Sequence, residues 1–560
     1  MKSFSLSAIL FFAGIISVLA QPSPLPKEDA FDVKWGTEYK FPRKHIDLGY
    51  VGTMEEGFAQ MCLRYKKDII MQGFDTKLKL TKQTKIDIRK MPKSIVSEGF
   101  YTFNKKHYWF YSTWIRKEKK ERLFAQEVDV VGLRFNGKAI ELTKSDKLAG
   151  SGFVVKGMYS FDVAGKYKIN TSTDSTQLLI SYRKAPKERD DTKNKDKLGF
   201  FVFNQDLEKV WGKELKMPYT ESKMDNIDYD VDKFGNAYLL AKVYKGNRKE
   251  KTKEGAPNYN YEILQISQQS KDIKKIPVTL SDKFINDILI TDDLNGNIIC
   301  AGLYSKNAHG GTGFRWGSGS TPTASDGVFV TRVDTTGNFV NVHKGYYEFP
   351  TEVLKQYETE RSQKKVDKKE KEDKAEAGNL RLRKVLVNED GSVIVTGEEY
   401  YYTEHTTTSR TAGGATSSRT TYTMHYDDIL AMKIGVSGEI DWIHKIPKRQ
   451  VGSASYVAPF DMSFKLFRSG ENFYFIYIDN AKNMKLKPDE YPAVHMANAK
   501  GVVVYAKINN EGQLTKGKIL DKGAEKIRLD ALDFQQVGSK SLINRATRKG
   551  YSKAVLVTEE

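Results

Sequence analysis

The chain has 560 residues, of which 39% are hydrophobic, with 30 Tyr, 29 Phe, 2 Cys and a formal charge of +19. Two cysteines exclude a small disulfide-stapled scaffold. No apolar run of spanning length follows the N-terminal segment, which excludes a bundle of membrane helices.

The N-terminus reads as a secretory signal. Lys2 supplies the positive start, Ala8 to Val18 the short apolar stretch, and Val18-Leu19-Ala20 the small-residue processing site. The stretch is too short for a comfortable membrane anchor, and Pro22, Pro24 and Pro26 follow it. We expect residues 1–20 to be a signal peptide cleaved after Ala20, which makes the protein periplasmic or extracellular. No cysteine stands directly after the cleavage point, so no lipid anchor is indicated. Residues 21–44 read as an N-terminal extension.

From there on one pattern recurs. An apolar strand, a turn with Asp, Asn or Gly and a second apolar strand are followed by a polar insert and then a second hairpin. Abundant Tyr and Phe suit such half-buried strands. The pattern places units at 94–146, 155–218, 223–278, 283–345, 379–447 and 461–521. In the clearest copy the first hairpin turns at Asn295-Gly296 and the second at Thr336-Gly337. Such pairs tolerate the positive φ of tight hairpins. Two partial units remain, 50–90 and 526–560. Joined in space they complete one more unit and leave no exposed sheet edge. The expected fold is therefore all-β, a single β-propeller over residues 45–560. It would have seven four-stranded blades, closed by N- and C-terminal strands sharing one blade, with six or eight blades as alternatives. Cys62 and Cys300 sit in apolar strand patterns and read as buried thiols.

Gly296-Asn297 with Ile299-Cys300-Ala301-Gly302, then Val328-Phe329-Val330 with Val333-Asp334, resembles the repeats of secreted bacterial seven-bladed β-propeller proteins. Gly391-Ser392 to Gly397 with Leu430 to Gly438 is similar in the same way. The resemblance implies architecture. It carries no active site, because the shared motif is structural.

In such a blade, with strands A to D running outward, the B–C loops and the D–A links emerge on one face. The long inserts fall there: 184–197, 245–259, 305–326, 403–425 and 481–500 after strand B, and 352–378 between blades. Function sits on variable loops carried by a rigid scaffold. The segment 350–378 is dense in Lys and Glu and is expected to be helical or disordered. Residues 403–423 read as a β-ribbon or a loop. His309, Arg315 and Trp316 lie in a glycine-rich insert and are the binding candidates, since Arg and Trp offer a planar charge and a stacking face.

No G-x-S-x-G elbow, H-E-x-x-H pair or metal-spaced cysteine pair occurs. The glycines at 311, 313 and 317 lack the Gly-Lys-Ser/Thr ending of a phosphate loop. We assign no cofactor. Asp228 and Asp230 alternate on a probable inner strand and are the candidates for Ca²⁺, but neither recurs in the next unit, where Leu289 and Thr291 stand. Asp232 recurs as Asp293 and reads as a turn residue. Trp211 and Trp442 read as packing between blades. The expected function is a non-catalytic binding or scaffold propeller. Its partner would be an anionic polysaccharide or envelope protein rather than nucleic acid. The alternative is a hydrolase or lyase acting at the channel mouth.

Overall fold

The computed structural model describes residues 25–89, 91–92, 94–150, 165–186, 193–246, 248, 257–280, 282–306, 324–340, 345–372, 374–410, 414, 416–454 and 461–560. Among them are eight sheets of four or more strands, antiparallel but for one short parallel pair, in most of which successive strands are hydrogen-bonded neighbours. The first strands of consecutive sheets lie against one another, as in Tyr167–Thr171, Met224–Val231, Phe284–Asp292 and Leu380–Val387. These are the inner strands of a β-propeller.

Second strands such as Ala237–Tyr244, Ile298–Ser305 and Asn472–Asp479 are apolar almost throughout. A blade is covered on both faces by its neighbours, so a middle strand needs no polar side. Outer strands such as Leu80–Asp87 instead alternate toward solvent. Eight hydrophobic clusters form, and each joins two consecutive blades. Numbered along the chain, blades 1 to 7 are the sheets Ile46–Asp87, Ile95–Ser145, Tyr167–Thr220, Met224–Val278, Phe284–Glu348, Leu380–Ile446 and Phe464–Asp521, and blade 8 is the C-terminal sheet ending at Glu559. The clusters run from Met61 and Trp109 between blades 1 and 2 round to Phe58 and Leu556 between blades 8 and 1. The ring is therefore closed. Trp211 and Trp442 belong to two of these interfaces. Their ring nitrogens donate to Gly235 O at 2.8 Å and Asn510 O at 3.3 Å, both in the following blade.

The chain ends share the closing sheet, where Phe31–Trp35 pairs with Tyr551–Glu559 outside Ser541–Arg548. The blade number differs from the expected seven. Residues 50–90 do not complete a composite blade with 526–560. A complete four-stranded sheet runs from Ile46 to Asp87, and the C-terminal strands take Phe31–Trp35, from within the 21–44 extension, as their outer strand. The first strand of that sheet, Ile46–Thr53, escapes pattern reading because Gly49 and Gly52 have positive φ and the register slips at Leu48. Cys62 and Cys300 are buried free thiols, in blades 1 and 5.

Hairpin turns repeat one device. Asp232 accepts the amides of Phe234 and Asn236, both at 2.9 Å, and the Tyr238 hydroxyl at 2.8 Å. Asp293 accepts the amides of Asn295 and Asn297 in the same way, at 2.8 and 2.9 Å. Asp232 is thus a turn residue.

Candidate functional site

Asp228 and Asp230 lie on the inner strand of blade 4. Asp228 accepts the Ile290 amide at 3.1 Å and Asp230 the Asp292 amide at 2.6 Å, both from the inner strand of blade 5. Burial pushes Asp228 up to about 6 against the pull of its amide donors. Burial, and then the charge of Asp292, holds Asp230 well above the carboxylate range. The two proposed cation ligands are engaged as acceptors between blades. Asp292 reaches past blade 4 and accepts the Thr173 amide at 2.9 Å and its hydroxyl at 2.8 Å, which ties blades 3 and 5 together at the A–B end of the channel. His309, Arg315 and Trp316 lie outside the described residues.

The B–C face over blades 5 to 7 is built from inserts that hold one another. The second and third strands of blade 6, Val393–Arg410 and Thr416–Ile434, run on together as a ribbon whose last pair is Arg410↔Thr416. The segment before blade 6 forms two helices, α1 (Thr351–Lys355) and α2 (Glu360–Lys371). Val353 and Leu354 anchor α1 in the core between blades 5 and 6. Thr359 caps α2 by accepting the Ser362 amide. The Tyr357 amide donates to Pro488 O at 2.7 Å, in the insert of blade 7. The link Gln450–Ala454 pairs with the ribbon on one side and with His495–Met496 on the other. Backbone hydrogen bonds thus join three inserts and one link into a single platform.

A buried ion cluster lies beneath it. Lys445 Nζ stands 2.8 Å from Glu358, 3.1 Å from Asp428 and 3.8 Å from Glu399. These carboxylates offer oxygens within 4.8 Å of one another, close enough to grip a cation, and the Lys445 ammonium is that cation. Burial raises Glu399; Lys445 opposes the shift and Asp428 reinforces it. Beside them the fully buried Lys448 and Glu398 pair at 2.8 Å. Burial alone would raise Glu398, but Lys448 and Arg383 outweigh it and hold the carboxyl below its usual range. Paired charges of this kind fix how the segments meet more than they add stability.

Above the cluster a half-buried patch faces outward. The Tyr401 and His425 rings stack with centroids 4.3 Å apart. The Arg449 guanidinium lies 4.7 Å over the ring of Tyr491, which is 45% exposed. Between them Asp427 keeps Oδ1 buried with no hydrogen-bond partner among the described residues. Burial and then the Asp428 charge push Asp427 up to about 6. Burial, followed by the Arg449 charge, lowers His425. The patch gathers residues from the ribbon, the blade 6–7 link and the blade 7 insert, and sequence reading missed it. The only local signal is the Tyr-rich stretch Tyr400-Tyr401-Tyr402, which pairs with Met424-His425-Tyr426 just before Asp427-Asp428.

No family model and no curated protein sequence matches the chain. Among solved structures, the polysaccharide lyase Uly1 is 10% identical over 94% of this chain and 99% of its own, with a TM-score of 0.34. An ulvan lyase of polysaccharide lyase family PL25, bound to -[GlcA(1-4)Rha3S]-, is 13% identical over 81% of this chain and 90% of its own, with a TM-score of 0.34. The WD40 domain of SCAP from fission yeast is 6% identical over 96% of this chain and 98% of its own, with a TM-score of 0.34. No helix among the described residues is long and apolar enough to cross a membrane.

Proposed function

We propose that this is an exported binding protein whose insert-bearing face recognises an anionic polysaccharide. One observation carries the reading: the interlocked platform that presents Arg449 on Tyr491 beside Tyr401 on His425. Rigid aromatic faces suit the apolar faces of sugar rings, and a guanidinium suits a carboxylate or sulfate. The excess of positive charge favours encounter with a polyanion. Export follows from the N-terminal pattern ending at Ala20.

A second reading rests on Asp427. A carboxyl held near 6, with an unpartnered oxygen next to a tyrosine, has the properties of an acid–base group. It makes the same face a lyase or hydrolase acting on the bound polymer.

Affinity electrophoresis through gels containing alginate, polygalacturonate, heparin or neutral dextran tests both readings. The mature chain should be retarded by acidic polymers, less so as salt rises, and Arg449→Ala or Tyr491→Ala should abolish the retardation. Equal mobility in acidic and neutral gels would refute polymer binding. Polymer shortening that Asp427→Asn abolishes would establish the enzyme instead.

A further inference from the structure

Where blades 4, 5 and 6 meet, two cations have no ion pair among the described residues. Lys242, on the second strand of blade 4, is 5% exposed. Its ammonium lies 3.6 Å from the centroid of Tyr259, 5.7 Å from Tyr261 and 5.9 Å from Tyr244. It makes no hydrogen bond or ion pair with any described residue. A buried, unpaired ammonium is costly, and the three ring faces only partly replace its water.

The neighbouring carboxylates serve other donors. Asp225 accepts the Tyr244 hydroxyl at 2.7 Å and pairs with Arg248 at 2.6 Å. Asp287 accepts the amides of Ile288 and Leu382, each at 3.0 Å. The Leu382 bond brings the start of blade 6 onto blade 5, and with it Arg381. Arg381 is half-buried and likewise has no hydrogen bond or ion pair among the described residues. Its charge acts directly on Lys242, Tyr259 and Asp287. Burial lowers Lys242 to about 8, with Arg381 adding to the shift and Asp225 and Asp287 opposing it. Two cations close enough to act on one another, beside an aromatic wall, leave a place for one anion.

We propose that Lys242 and Arg381 together bind a single carboxylate or sulfate group, with Tyr259 as the wall against which the rest of the ligand lies. The pocket names the acidic group of the ligand. It rests on the polysaccharide reading only for the chain that carries that group.

Calorimetric titration of the full chain with glucuronate, galactose 6-sulfate and neutral glucose tests the proposal. Binding of one or both acidic sugars but not glucose is expected, and the tighter of the two identifies the group. Lys242→Met and Arg381→Met should each weaken that binding at least tenfold. Lys242→Met should keep or raise the thermal midpoint, because methionine fills the tyrosine box without a buried charge. If that variant unfolds instead, the half-exposed Arg381→Met decides. Unchanged affinity in Arg381→Met, or no acidic sugar bound by the wild type, overturns the pocket. Retardation by acidic polymers with no acidic sugar bound overturns the pocket and leaves the platform standing. Acidic-sugar binding without retardation does the reverse.

Discussion

Replacing Lys445 with methionine removes the one cation shared, among the described residues, by Glu358, Glu399 and Asp428. The methionine retains most of the volume, so the effect is electrostatic. Breaking a buried ion pair by deleting one partner costs about 3–5 kcal/mol. Glu399 is still 25% exposed at its side chain, so solvent screening places the expected loss near 3 kcal/mol at pH 8. The sign with pH follows from the shifts. Glu399 and Asp428 both titrate above their ordinary values in the folded protein. Groups raised in this way favour the folded state at low pH, and that contribution is lost as pH rises through their folded values. Without Lys445 both rise further, so acid should partly rescue the variant. Urea unfolding of wild type and variant at pH 5 and pH 8 measures this. The gap between them should fall to roughly half at pH 5. A gap that is equal at both values, or wider at pH 5, would refute the assignment of Lys445 as the neutralising cation.

Trp442 is 3% exposed in the blade 6–7 interface, and Trp442→Ala should lower stability by about 3–5 kcal/mol in chemical denaturation. A shift of a few tenths would show that the ring does not hold the blades together. Arg449→Ala and Tyr491→Ala remove partly exposed groups and should change stability by less than about 0.5 kcal/mol while polymer retardation is lost; a cooperative loss of stability would make them structural. A β-carbon on Gly302 would lie 2.2 Å from the Phe329 ring and 2.6 Å from Asp287 O. Gly302→Ala should therefore cost about 1–3 kcal/mol as an overpacked core, and a midpoint equal to wild type would mean that blade 5 yields there.

The repeat was legible because its turns are chemically marked. Gly235, Gly296, Gly337, Gly391, Gly438 and Gly512 all adopt positive φ where the hairpins reverse. The strand Phe31–Trp35 was not legible: it is five residues long, alternates with Asp and Lys, and finds its partner 528 positions away in Phe31↔Glu559. Local pattern carries no trace of such pairing. The platform was legible only as a set of inserts on one face. In sequence Lys445 lies at the end of one apolar stretch and Asp427-Asp428 at the start of another. The meeting of Lys445 and Asp428 with Glu358 depends on α1 folding back over blade 6, which only tertiary packing decides.

The elaboration of one face has a physical cause on the other. At the A–B and C–D end, the C–D turns of two blades are held by the preceding blade. The turn Asn509–Gln513 of blade 7 accepts hydrogen bonds from three side chains of blade 6: Trp442 Nε1 and Lys433 Nζ at Asn510, and His444 Nε2 at Gly512 O, 2.7 Å away. The Trp442 ring also lies 2.6 Å from where a β-carbon on Gly512 would stand. Lys213 of blade 3 likewise donates to Ser267 O, Gln268 O and Ser270 O in blade 4. Added residues would break these contacts, at about 1 kcal/mol for each hydrogen bond lost. The B–C end carries no such constraint at Gly414, where a β-carbon would meet nothing within 4 Å. Doubling a free loop there costs only about 0.6 kcal/mol. A four-residue Gly-Ser insertion after Asn510 should therefore lower stability by about 3 kcal/mol, against well under about 1 kcal/mol for the same insertion at Gly414. Thermal and urea unfolding of the two insertion variants compare them directly. Equal losses would mean that the plain face is not locked by inter-blade contacts, and the one-sided growth of this propeller would then need a functional rather than a mechanical explanation.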